Sequence, residues 1–190
     1  MNRLCKRCGV LMTAILGTII MSGCGTKITD SAVPKAATID VNQPIELISF
    51  EYSPGYSDMN GALHHESLHK NDNGDWIIES RDREIISEPV TITTYAVSLE
   101  DVIRFDTFLR EKDFVSLENR EESSDYWLDH SPWNYTIKLA VSDSEGEHGE
   151  RHSIGQYQQF SEEDFVLMNE VDQLFLDIHG EKLSETIDNN

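Results

Sequence analysis

Trp133, Tyr135, Ile137, Leu139 and Val141 alternate with Asn134, Thr136, Lys138 and Ala140, and this period of two constrains the fold more than any other stretch of the chain. Successive side chains of a strand point to opposite sides of a sheet, so the run predicts a strand with one buried and one wet face. Such strands belong to antiparallel sheets open to water on one side, because strands buried on both faces read as unbroken apolar runs. Ile48, Phe50 and Tyr52 give residues 45–52 a similar face, and Val90, Ile92 and Ala96 do so for residues 90–97. Residues 63–70 and 75–81 flank Asn71, Asp72, Asn73 and Gly74, whose Asn-Gly step suits the positive φ angles of a tight hairpin. A polar turn over residues 143–149 leads to a short strand over residues 151–155.

Two helices carry start signals. Ser98 followed by Glu100 and Asp101, and Ser161 followed by Glu162, Glu163 and Asp164, place a hydroxyl and a third-position carboxylate at unpaired amides. The first helix is expected over residues 98–112, with Arg110 and Lys112 in its last turn. In the second, Leu167, Met168, Val171, Leu174, Phe175 and Ile178 fall within an arc of about 120°, and Gly180 supplies the stop. Strands wet on one face and helices with one apolar stripe bury those surfaces against each other. The expected fold class is α+β, a single mostly antiparallel sheet of about five to six strands with two helices packed on one face. Residues 44–180 form this single globular domain, of a size that buries its own core. Residues 181–190 read as a polar tail.

Upstream, the features follow the order of an export signal. Arg3, Lys6 and Arg7 precede an apolar run over residues 10–21, about a dozen residues, within the roughly 7–15 of a signal-peptide core and short of the roughly 20 that span a bilayer. Met21, Ser22, Gly23 and Cys24 follow at the position of cleavage. This stretch resembles the signal and lipobox of bacterial lipoproteins, with Met21 where leucine is commonest. The resemblance implies that residues 1–23 are a removed signal peptide, that Cys24 carries a thioether-linked diacylglycerol, and that residues 24–43 combine the lipidated cysteine with a flexible tether. Each buried methylene adds about 0.8 kcal/mol to membrane attachment, so two or more acyl chains hold a protein that one would release. The body, with its early strand through Ile48, Phe50 and Tyr52, mid-chain helix and late two-strand-plus-helix unit, resembles in outline small uncharacterised lipoproteins of Gram-positive bacteria. That likeness spans residues 45–180, contains no catalytic motif and implies no activity.

Cys5 and Cys8 have the C-x-x-C spacing of redox dithiols and half-zinc sites, but both lie in the segment that cleavage removes. The chain holds 15 Lys and Arg against 35 Asp and Glu, a formal charge of −20, and loss of Arg3, Lys6 and Arg7 leaves 12 against 35, or −23. Such a surface repels nucleic-acid phosphates and anionic headgroups and attracts cations or basic partners over about 8–10 Å at physiological salt. Nucleic acid is excluded as a partner on this ground.

His64, His65 and His69 would place two imidazoles one turn apart on a helix, but the hairpin signal puts them on a strand. Positions four apart there are separated by roughly 13 Å, too far for one metal ion, and the three read as solvent-facing or edge-strand histidines. His148 and His152 share the spacing across a turn containing Gly149. Aligning Gly74 with the glycine of a calcium loop puts His69 at the first ligand and Ser80 where the bidentate Glu belongs, so that motif fails. No cofactor and no metal site is therefore assigned. Tyr126, Trp127, Asp129, His130, Trp133, Asn134 and Tyr135 have the composition of a carbohydrate site; the alternation assigns Trp133 and Tyr135 to the core and leaves Trp127 as the exposed ring. Asp106 projects at the edge of the first helix's apolar stripe, where Arg110 one turn later pairs with it. In the second helix Phe165 and Leu176 project to nearly the same angle outside the main arc, about 16 Å apart along the axis. Beside Glu162 and Asp172 they form a candidate surface for a basic or apolar protein partner.

No nucleophile elbow, zinc-protease helix or phosphate-binding glycine loop accompanies these residues, so no catalytic residue is assigned. The sequence supports a non-enzymatic, lipid-anchored binding or interaction domain on the extracytoplasmic side of a cell membrane. The alternatives are a small cell-envelope hydrolase and a structural component of an envelope or transport complex.

Overall fold

Seven strands form, β1 (Leu47–Ser53), β2 (Leu63–Lys70), β3 (Trp76–Arg83), β4 (Val90–Ala96), β5 (Asn134–Asp143), β6 (Gly146–Gly155) and β7 (Lys182–Asp188). The computed structural model describes residues 43–55, 61–122, 133–144 and 146–189, all within one compact unit spanning Thr38–Asn190. Every strand pair is antiparallel and the sheet order is β6-β5-β1-β2-β3-β4-β7. Two helices, α1 (Leu99–Glu111) and α2 (Glu162–Asp177), and a 3₁₀ helix over Phe114–Asn119 complete the described elements. The signal segment, Met21 to Cys24, the tether through residue 42 and Trp127 lie outside the described residues.

The α+β class with an antiparallel sheet stands, whereas the count of five to six strands is corrected to seven. Part of the difference is the supposed polar tail at residues 181–190, which forms β7 along the β4 edge. Its side chains are almost all exposed, Leu183 and Ile187 included, so the strand is held by its backbone ladder and buries no apolar face. The supposed polar turn over residues 143–149 is also mostly strand, because β5 and β6 pair in continuous register from Asn134–Gly155 to Asp143–Gly146. In β1 a register shift between Leu47 and Ser49 sends Ile48 outward, so Leu47 joins Phe50 in the core in its place. On β4 the residues level with the buried strand β3 face are Thr93 and Tyr95, opposite Ser80 and Ile78, and the expected stripe of Val90, Ile92 and Ala96 lies on the other side of the sheet.

Phe50 organises the core. Phe105 of α1 meets it edge-on with ring centroids 4.9 Å apart, and Phe175 of α2 meets it at the same separation, so both helices share one face of the sheet. The 3₁₀ helix adds buried Phe114 and Leu117, a short element whose few residues give no period to detect. Ser98 caps α1 through the Asp101 amide, and Ser161 and Asp164 form a reciprocal capping box on α2. Asp106, 1% exposed, does more than edge the stripe. It accepts the Leu47 amide at 2.9 Å and the Glu46 amide at 3.2 Å while Arg110 donates two bonds to its second oxygen, fixing the start of β1 to α1. Gly180 is required less for stopping α2 than for approach: its amide bonds Ala96 O at 3.0 Å, and a Cβ there would collide with that carbonyl.

Candidate functional site

At one end of the sheet the alternating faces of β1 and β5 bring Tyr52 opposite Tyr135, and the two rings stack 5.2 Å apart at 15°. Above them α2 carries Asp172, one turn after buried Met168 and beside buried Val171, so its carboxylate is turned toward the sheet. Tyr135 Oη donates to Asp172 Oδ1 at 2.8 Å and Tyr52 Oη to Oδ2 at 3.4 Å. Trp133 stands edge-on to Tyr135 at 6.0 Å and tilted against Phe160, which in turn meets Phe165 at 6.0 Å. Tyr52, Trp133, Tyr135, Phe165 and Asp172, with Pro54, Met168 and Asn169, line an open cavity of about 180 Å³. Asp172 has no ion pair among the described residues. Burial raises its carboxyl above the ordinary range against the pull of the two hydroxyls, and burial also pushes the Tyr135 phenol up, keeping it a donor.

Trp133 and Tyr135 also form a wall of a larger, more polar cleft of about 630 Å³ between β5, β6 and the end of the 3₁₀ helix. Gln158 shapes it, bonding the carbonyls of Leu117 and Glu118 and accepting the Gly155 amide. Gln156 Nε2, at the same lining, is buried with no hydrogen-bond partner among the described residues. Glu118 lines the cleft and binds His152 Nδ1 at 2.7 Å, while Arg120 forks onto Asp164, joining the 3₁₀ helix to the start of α2.

A second polar cluster lies where β2 and β3 pass under the C-terminal end of α2. Glu66, 5% exposed, accepts His179 Nε2 at 3.2 Å, and its other oxygen faces His64 Nε2 at 3.8 Å without a hydrogen bond among the described residues. His64 Nδ1 contacts Asp82, which Ser80 also bonds. Glu66, together with the closer Asp82, holds the His64 imidazole up at about 9, although burial opposes it. Burial alone would raise Glu66, yet His179 and His64 bring it down to about 2.

The residues singled out from sequence are distributed unevenly over these features. Phe165 is 49% exposed and lines the aromatic cavity, whereas Leu176, 53% exposed, lies eleven residues further along α2. Asp172 belongs inside the cavity and not beside Glu162 on an exposed strip, a correction that follows from its hydroxyl partners on β1 and β5. The histidines of β2 are neither edge residues nor alike: β2 lies between β1 and β3, and His64 is drawn into the Glu66 cluster while Ser67 contacts His69 Nδ1 at 3.2 Å. His148 and His152 share the strand β6 rather than straddling a turn. The Asn71 loop is a hairpin turn, with Gly74 at φ +85° and the Asn71 side chain accepting the amides of Asn73 and Asp75. Among the described residues no group of three His, Cys, Asp or Glu side chains could hold a metal ion. None of their helices is long and apolar enough to cross a membrane. The Tyr52–Asp172 and Glu66–His179 bonds span 120 and 113 residues and leave no local signal. The one legible hint was an acid at Asp172 between the buried positions of an amphipathic helix.

The architecture is thus a sheet-dominated α+β fold in which the two concavities that share Trp133 and Tyr135 adjoin at one end of the sheet. Compared with protein-family models, with curated proteins and with solved structures, the chain matches none.

Proposed function

We propose that the protein is a lipid-anchored, extracytoplasmic binding domain without enzymatic activity, held at the outer side of a cell membrane through a diacylglycerol on Cys24. The observation that carries the binding role is the pair of concavities sharing Trp133 and Tyr135 as a common wall. Rigid aromatic walls with a few converging polar groups suit ligand recognition. Support for anchoring comes from the order of cationic start, short apolar core and Met21-Ser22-Gly23-Cys24. The half-exposed Phe165 and Leu176 of α2, which project to nearly the same angle, offer the apolar surface a protein partner in an envelope complex would use.

Intact mass of protein extracted from membranes tests the anchor. The wild-type chain should begin at Cys24 and carry a diacylglycerol, and Cys24→Ala should block both processing and lipidation. An unlipidated wild-type chain beginning elsewhere would end the proposal.

A further inference from the structure

We infer that the cavity bounded by Tyr52, Trp133, Tyr135, Phe165 and Asp172 is a binding site for an alkylated ammonium group. The inference rests on the reading of this protein as a binding domain and specifies its ligand chemistry. Four aromatic rings border the space, and the faces of such rings carry the negative end of a quadrupole that attracts cations within about 6 Å. Asp172 supplies the counter-charge. A half-buried carboxylate ordinarily finds a cation or a full set of donors, and this one has two tyrosine hydroxyls and no ion pair among the described residues.

The shape and chemistry of the cavity choose among cations. Its volume of about 180 Å³ is below the roughly 300–1,000 Å³ that encloses a drug-sized molecule, so it takes a headgroup while the rest of a ligand extends outward. Calcium and magnesium require about six to eight oxygen ligands, whereas the walls offer one carboxylate, the Asn169 amide and two tyrosine hydroxyls already donated to that carboxylate. A primary ammonium has three donors to satisfy, whereas a quaternary nitrogen, with a carbon on every bond, has none and gains from contact with rings and the Met168 thioether. The acidic surface, −20 for the whole chain, concentrates cations near the mouth.

The test is calorimetric titration of the full chain, purified in detergent, with tetramethylammonium, choline and the neutral choline analogue in which a tert-butyl group replaces trimethylammonium. Both cations should bind saturably and the neutral analogue about tenfold more weakly or worse. Asp172→Asn should weaken choline binding by about tenfold, and Phe165→Leu, at the half-exposed rim, by severalfold without loss of folding. Choline affinity should also fall as pH is lowered through the raised carboxyl range of Asp172, since Tyr52 and Tyr135, which face it from β1 and β5, remain neutral there. Failure of both cations to bind overturns the assignment, as does equal binding of the neutral analogue. So does unchanged affinity in a folded Asp172→Asn or Phe165→Leu protein. Two sources of the group separate in a chain beginning at Thr38, the start of the compact unit, which lacks both the apolar export signal and Cys24: co-sedimentation with phosphatidylcholine but not phosphatidylglycerol vesicles supports a lipid headgroup, and choline binding without co-sedimentation supports a soluble cation. A lipidated chain that ignores choline loses only the ligand assignment, and an unlipidated chain that binds it loses only the anchor.

Discussion

Glu66 occupies a position on β2 where its neighbour Leu68, on the same face, is fully buried hydrocarbon. A carboxylate there survives because His179 and His64 flank it, and its ionisation is tied to theirs. The His64 imidazole, raised from 6.5 to about 9, contributes stability that is complete below 6.5 and lost as pH rises through 9. Glu66, lowered from 4.5 to about 2, contributes stability that is complete above 4.5 and lost as pH falls through 2. Both contributions are therefore complete between 4.5 and 6.5. Urea midpoints should decline from pH 6.5 toward 9, and Glu66→Gln should lower the plateau and flatten that decline. A wild-type midpoint unchanged across the alkaline limb would contradict the coupling. The histidines on β2 were visible in the sequence, but their partners were not: nothing local distinguishes His64, which meets Asp82 across the hairpin, from His65 on the opposite face.

Elements with strong periodicity or caps are readable without coordinates, and those held by backbone alone are not. Ser98 and Ser161 mark both helix starts because capping is a local contract between a hydroxyl and amides three residues on. The β2–β3 hairpin follows equally from its Asn-Gly step. The β1 bulge and β7 escape because one extra residue reverses a face and an edge strand needs no apolar side chains. A chain ended at Gly180 tests the role of β7. Each ladder hydrogen bond nets about 0.5–1.5 kcal/mol and ordering each residue costs about as much, so the truncated protein should lose at most about 2 kcal/mol. It should nevertheless self-associate in sedimentation, because β4 becomes an open edge. A monomer as soluble as the full chain would show that β7 guards nothing.

For the molecule as a whole, 35 acidic against 15 basic residues create repulsion that folding concentrates. Raising salt from about 0.01 M to about 0.15 M shortens the screening length from roughly 30 Å to roughly 8 Å. The thermal midpoint should rise by a few degrees, and a fall would mean that paired charges such as Arg120–Asp164 outweigh the repulsion. The aromatic–carboxylate cavity illustrates what topology adds: alternation assigned Trp133 and Tyr135 to the inner face, but only the insertion of β1 between β5 and β2 sets Tyr52 beside them and under Asp172. That same strand has a direction. The chain enters it at Leu47, where Asp106 clasps the backbone, and leaves at Ser53 beside the cavity. At about 3.3 Å per residue, β1 is a spacer of roughly 20 Å. Gln43, the first described residue, bonds Thr107 of α1 and so marks the end of β1 remote from the cavity, which puts the full length of the strand between the two.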